Sequence, residues 1–159
     1  MLVIFLAALG ALIADQASKY LVVHMMELSQ IGSMDILPPV LNFRYGENRG
    51  INFGLLDSDA ELARWLLIGF SIVISVAVVW WLRHRRHGVM MRISAGLLVG
   101  GALGNVADRL LYGYVLDFLN MSCCGIANPF VFNLADVFIF AGALGLILFD
   151  GGKGRKKAA

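Results

Sequence analysis

The chain is short of charge. Of its 159 residues only 15% are Asp, Glu, Lys or Arg, while 59% are hydrophobic, and mean hydropathy is +0.77. Soluble domains average about 45–50% apolar and about 25% charged residues. The deficit excludes an ordinary water-soluble globule and points to an integral membrane protein. Cysteine is almost absent. The two that occur are adjacent, Cys123 and Cys124, which gives neither a disulfide framework nor zinc-ligand spacing. Histidine is scarce too. His84 and His87 stand inside "RHRRH", a run of cations that reads as a solvated basic loop rather than a metal site. No metal and no cofactor are expected. With a net charge of only +2, no nucleic-acid partner is expected either.

What the chain has in abundance is long apolar runs. A helix crossing about 30 Å of hydrocarbon needs about 20 mostly apolar residues. Four segments meet that length: about 1–23, 62–82, 93–112 and 130–149. One domain, 1–159, is expected, with connections at about 24–61 and 113–129. The first run lacks the basic residues that precede a signal peptide's apolar core, and Asp15 and Lys19 stand where a cleavage site would need small residues. The basic residues set the orientation. Arg83, Arg85, Arg86 and Arg92 follow segment two, and Lys153, Arg155, Lys156 and Lys157 follow segment four. These eight of the 13 Lys and Arg lie on one side, and of 11 acidic residues only Asp150 joins them. The positive-inside rule therefore places both termini and the 83–92 loop in the cytoplasm. The 24–61 and 113–129 connections then face outward.

The fold class expected is an all-α membrane protein: four transmembrane helices, a small extracytoplasmic β-sheet and a loop or helix on the same side. The sheet is suggested by "VLNFRYGENRGINFGLL", where Val40, Asn42 and Arg44 alternate with Leu41, Phe43 and Tyr45. Gly46 and Gly50 bracket a turn, and Ile51 to Leu55 would return as a second strand. "DSDAEL" then starts a helix, capped by Asp57 or Ser58.

The polar residues within the apolar runs are few and grouped. Asp15, Ser18 and Lys19 stand at i, i+3 and i+4 on one helix face, and Asn105, Asp108 and Arg109 repeat that spacing. Asp117 lies in the loop just beyond segment three, and Asn133 and Asp136 open segment four. All fall at one depth near the outward surface. A charge at a helix centre costs about 2.5–3.5 kcal/mol on insertion scales, so such residues need a reason. Asp15 with Lys19 and Asp108 with Arg109 can be structural pairs. Asp117 and Asp136 have no neighbouring cation. Gly96, Gly100 and Gly104 form a small-residue face that lets helices pack closely and hold this cluster.

Two carboxyls without metal ligands suggest acid–base hydrolysis, one keeping a proton while the other activates water. A small proton-coupled transporter using intramembrane carboxylates is the alternative. It predicts ionisable groups through the full bilayer depth, and the inner halves of these helices lack them. A non-catalytic assembly factor, which would use the same groove without needing an acid pair, is a third reading.

Five blocks add to this. "DQASK" (Asp15 to Lys19), "ENRGINF" (Glu47 to Phe53), "GNVADR" (Gly104 to Arg109), "VLDF" (Val115 to Phe118) and "FNLAD" (Phe132 to Asp136) occur in an order that resembles the lipoprotein signal peptidase family, also called signal peptidase II. The resemblance implies a multi-pass aspartyl endopeptidase of the bacterial inner membrane, active near the periplasmic face. Its substrates would be prolipoproteins carrying diacylglycerol on a cysteine, cut just before that cysteine. It implies Asp117 and Asp136 as the catalytic pair, with Asp15, Lys19, Asn48, Gly50, Asn105, Asp108, Arg109, Asn133 and Ala135 around them. It also implies contact with membrane lipid and sensitivity to globomycin-type inhibitors; a monomer is expected. The chain departs from the family at Ile51-Asn52, where Ala-Ala is frequent, and in "MSCCGIANP" between the two acid blocks.

Overall fold

The structure, a computed structural model, describes residues 1–50, 58–84, 87–122 and 128–150. In chain order the elements are α1 (Leu2–Lys19), a π-helical segment (Tyr20–Met25), α2 (Leu28–Ile31), β1 (Ser33–Leu37) and β2 (Leu41–Asn48). After them come α3 (Ser58–Arg83), α4 (Val89–Leu111), β3 (Val115–Met121) and α5 (Leu134–Asp150).

The apolar runs become helices. Three stretches, Leu2–Met25, Glu61–Arg83 and Val89–Leu111, are long and apolar enough to cross a bilayer. The fourth expected span, 130–149, is shorter than its apolar run. α5 has 17 residues, about 25 Å at 1.5 Å per residue. It begins four residues late because Phe132 pairs with Leu119 instead of entering the helix: Phe132 N–H donates to Leu119 O at 2.9 Å and Leu119 N–H to Phe132 O at 2.8 Å.

α4 is the central helix and packs mainly against α1 and α5. Glycine makes that approach possible. A Cβ at Gly100 would overlap the Ala8 carbonyl oxygen, and one at Gly104 would lie 2.5 Å from Asp15 Oδ2. The Gly96, Gly100 and Gly104 face expected from sequence is therefore the α1–α4 contact, with Ala7, Ala8 and Ala11 opposite.

The sheet is antiparallel with strand order β1-β2-β3. The alternation expected around Asn42 is β2, which pairs with β1 and β3. Ile51 to Leu55 and the candidate cap Asp57 lie outside the described residues, as do Cys123 and Cys124. β1 pairs on one side of β2, with Met34 opposite Phe43. β3 pairs on the other, with Phe43 opposite Leu119 and Gly46 opposite Asp117. Asp117 thus sits inside a strand and not in a loop. Gly113, at φ 85°, turns the chain out of α4, and "VLDFL" then has the branched and aromatic residues of a strand.

Alternation along β3 separates two faces. Leu116 and Phe118 point into a small core with Val22, Val23 and Leu28, and Phe43 meets Phe118 edge-on at 5.7 Å. Each such side chain is worth about 1.5–3 kcal/mol when fully buried, so this core anchors the sheet over the end of α1. Asp117 faces the other way.

Candidate active site

The polar residues of α1, α4, β3 and the start of α5 meet in one cluster with two parts. The first is built on Lys19. Its ammonium lies 2.8 Å from Asp15 Oδ2 and 2.7 Å from Asp108 Oδ2, and donates to Asn105 Oδ1 at 3.3 Å. Lys19 is 2% exposed and both aspartates 0%. Charges at such depth persist only when paired and hydrogen-bonded. Their remaining lone pairs reach backbone. Asp15 Oδ1 accepts from the Ala135 N–H at 2.9 Å, and Asp108 Oδ2 from the Leu116 N–H at 3.1 Å. Asp15 therefore fixes the start of α5, and Asp108 fixes β3 one residue before Asp117.

The pairing of Asp108 with Arg109 expected from sequence is replaced by Asp108 with Lys19. Residues at i and i+1 on a helix point in different directions. Arg109 instead reaches back one turn, its Nη1 donating to Asn105 O at 3.3 Å. It is 9% exposed, and its charge is felt by Asp136, Asp108 and Asp117. Ser18, on the predicted polar face, donates to Asp15 O of its own helix.

The second part is held by amides. Asn133 precedes α5, and its Oδ1 accepts the Asp136 N–H at 3.0 Å, while Asp136 Oδ2 accepts the Asn133 N–H at 3.3 Å. This reciprocal pair is a capping box, with Asn and Asp in place of the usual Ser/Thr and Glu. The three-residue spacing of "NLAD" was visible in sequence; its capping role was not drawn from it. Asn133 Nδ2 then donates to Asp117 Oδ1 at 2.6 Å and to Asn105 Oδ1 at 3.3 Å. Asn105 Nδ2 donates to Asp136 Oδ1 at 2.9 Å. Asp117 and Asp136 are thus joined through Asn133 and Asn105. Asp117 is 3% exposed and Asp136 half-buried. Burial pushes the Asp117 carboxyl up to about 6, and the Asp136 charge adds to it; the amides of Asn133 and Asn48 pull it back.

Asn48 and Gly50 sit at the rim. Asn48 ends β2 opposite Val115, and its Oδ1 accepts the Gly50 N–H at 3.1 Å. This is an Asx turn, and Gly50 at its end has φ 89°, a conformation that favours glycine. Beside them Arg49 pairs with Glu47 at 2.7 Å and lies 5.1 Å over the Tyr114 ring. Ala135 is fully buried, where its N–H serves Asp15.

Sequence reasoning passed over Gln16. Its Nε2 donates to Asp108 Oδ1 at 2.8 Å, to Asp15 Oδ2 at 3.2 Å and to Gly104 O at 3.3 Å, closing the ion cluster on a third side. No periodicity singles out a glutamine next to an aspartate; only the α1–α4 contact does. Among the described residues no three His, Cys, Asp or Glu side chains are grouped as metal ligands.

Residues 7–150 match the profile of the family described as Signal peptidase (SPase) II. The chain belongs to the signal peptidase II family. It is similar to the lipoprotein signal peptidase of Alteromonas mediterranea, 41% identical over 149 residues that cover 93% of this chain and 80% of that protein. The lipoprotein signal peptidase of Caulobacter vibrioides is 37% identical, with 87% of this chain and 79% of that protein covered. A bacterial membrane enzyme solved by the in meso method at 1.9 Å resolution has the same fold, with a TM-score of 0.78 and 29% identity over 94% of this chain and 93% of that one. The polar cluster described above is thus the candidate active site of a signal peptidase II family member, a membrane peptidase.

Proposed function

We propose that the chain is an aspartic endopeptidase that removes signal peptides from prolipoproteins already carrying diacylglycerol on a cysteine, cutting just before that cysteine. It acts as a four-span protein of the bacterial inner membrane, α5 being the fourth span. Both termini and the basic 83–92 loop are cytoplasmic, and the carboxylates lie near the periplasmic face. It needs no cofactor and works as a monomer. A globomycin-type cyclic peptide would occupy the same groove.

One observation carries the reading. Asp117 and Asp136 share an amide-lined site, both bonded to Asn133, with no cation hydrogen-bonded to either among the described residues. A carboxyl at about 6 beside a second carboxylate is suited to hold one proton for the pair. The ionised member takes a proton from water, whose oxygen attacks the scissile carbonyl. The protonated member gives its proton to the carbonyl oxygen. As the tetrahedral intermediate collapses, the C–N bond breaks, the amine leaves with the proton taken from water, and a hydroxyl of the diol returns its proton to the carboxylate that had donated one. Arg109 stands close enough to both acids to limit their mutual repulsion. A lipid-modified substrate keeps its acyl chains in the bilayer, so the site belongs at the membrane surface, where the sheet meets the helices.

The test is cleavage of a precursor by the purified full-length protein, with and without diacylglycerol on its cysteine. The lipidated form should be cut, with mass spectrometry placing the new N-terminus at that cysteine. Equal cleavage of the unlipidated form, or a cut elsewhere, would sink the substrate assignment.

A further inference from the structure

α4 packs closely against α1 and α5, but α1 and α3 hardly meet. Between them runs a groove floored by α4. One cavity of about 530 Å³ has Phe5 and Leu9 of α1 on one wall, Val79 of α3 on the other, and Val99 and Leu103 beneath. A second, of about 420 Å³, shares Val79, Val99 and Leu103 and continues along α3 to Arg83, the last residue of that helix. Neither cavity is lined by an acid. Arg83 is exposed, at the end of the bundle opposite the aspartate cluster.

The lining decides between occupants. The described lining is apolar side chains along most of its length, with Ser75 and Arg83 on the α3 wall. A flexible hydrocarbon chain fits a long narrow apolar space, and the bilayer supplies such chains. A phosphate at the end of that chain would meet the Arg83 guanidinium, whose fork of N–H donors can bond two phosphate oxygens at once. The further basic residues that the sequence places beside it, Arg85, Arg86 and Arg92, favour a head group with net negative charge.

We infer that the α1–α3–α4 groove is a binding site for an anionic phospholipid of the leaflet opposite the carboxylates, its acyl chain lying over Val99 and Leu103 and its phosphate on Arg83. The site is separate from the acid pair. It rests on the membrane-spanning reading and not on the identity of the cleaved substrate.

The experiment is native mass spectrometry of the full-length protein in detergent with dioleoyl phosphatidylglycerol, dioleoyl phosphatidylcholine or glycerol 3-phosphate. The wild-type chain should retain one phosphatidylglycerol, with weaker retention of phosphatidylcholine and none of glycerol 3-phosphate. Arg83→Gln should lower phosphatidylglycerol retention about five-fold, the factor that corresponds to the ~1 kcal/mol carried by one arginine near an anionic surface. Leu103→Trp, at a half-exposed position where the ring can fill the groove, should lower retention of both lipids. Cleavage of the lipidated precursor, measured on the same samples, should survive in both variants and shows that they fold. Unchanged phosphatidylglycerol retention in either variant overturns the proposal. So does equal retention of phosphatidylcholine, and so does binding of glycerol 3-phosphate alone. A wild-type sample that retains the lipid but cleaves nothing supports the lipid site while defeating the peptidase reading.

Discussion

The polar cluster holds two pairs of carboxylates compensated in different ways. Asp15 and Asp108 are buried completely and share one ammonium, that of Lys19, at 2.8 and 2.7 Å. Asp117 and Asp136 are bonded to amides: side chains of Asn133 and Asn105 and the backbone of Asn133. Arg109 adds only its field. A carboxylate paired with an ammonium at that depth is a structural partner, and removing either one uncovers a buried polar group. A carboxylate held by amides keeps the option of a proton. The first pair fixes backbone, at Ala135 and Leu116. The second pair is where that fixed backbone puts it. Acids of the same type are thus set in two different environments by their partners.

The strongest way to break this division is Lys19→Met. It leaves two carboxylates buried without their cation, and breaking a buried pair costs about 3–5 kcal/mol. The variant should melt well below wild type in detergent and accumulate poorly. An unchanged melting midpoint would mean that Lys19 does not hold Asp15 and Asp108 together.

A subtler separation comes from pH. The Asp117 carboxyl is raised from 3.8 to about 6, so the folded chain keeps this proton after the unfolded chain has released it. Stability from this group is present below about pH 4 and is lost as pH rises through 6, a difference of up to ~3 kcal/mol. Asparagine has no proton to lose. Asp117→Asn should therefore melt above wild type at pH 7.5 and level with it at pH 4. A lower midpoint at pH 7.5 would show that the folded chain depends on the Asp117 carboxylate for its structure.

Gly104→Ala sharpens the link between packing and charge. Its Cβ would stand 2.5 Å from Asp15 Oδ2 and 3.2 Å from Asp15 Cγ. Crowding of this kind typically costs about 1–3 kcal/mol. The expected result is a lowered midpoint with partial loss of cleavage. A neutral result would show that α1 shifts without disturbing the ion cluster. The smallest effect belongs to the rim: Glu47→Gln breaks an exposed ion pair with Arg49, and such pairs contribute little. No measurable shift of the midpoint is expected.

The bundle was legible in sequence because bilayer thickness imposes helix length, and the periodic apolar runs met it at Leu2–Met25, Glu61–Arg83 and Val89–Leu111. The glycine face was legible for a similar reason, its four-residue period. What one dimension could not give was partner choice. Asp108 stands next to Arg109 in the chain, yet it pairs with Lys19, which lies on another helix. Gln16 and the Leu116 N–H enter the cluster through the same α1–α4–β3 contact. The strand around Asp117 was missed because "VLDF" is short, and its register depends on β2, some seventy residues earlier in the chain. The capping box of Asn133 and Asp136 has a local spacing, but a functional reading of the same two residues obscured it.

Cleavage of a lipidated precursor by Asp117→Asn, Asp136→Asn and the double variant, each measured beside its thermal midpoint, tests the central claim most directly. Both single variants should fold, with midpoints at or above wild type for Asp117→Asn, and both should abolish turnover. The double variant should be no worse than either, because neither acid works without the other. Near-normal turnover in either folded single variant would contradict the account, since one carboxylate would then suffice.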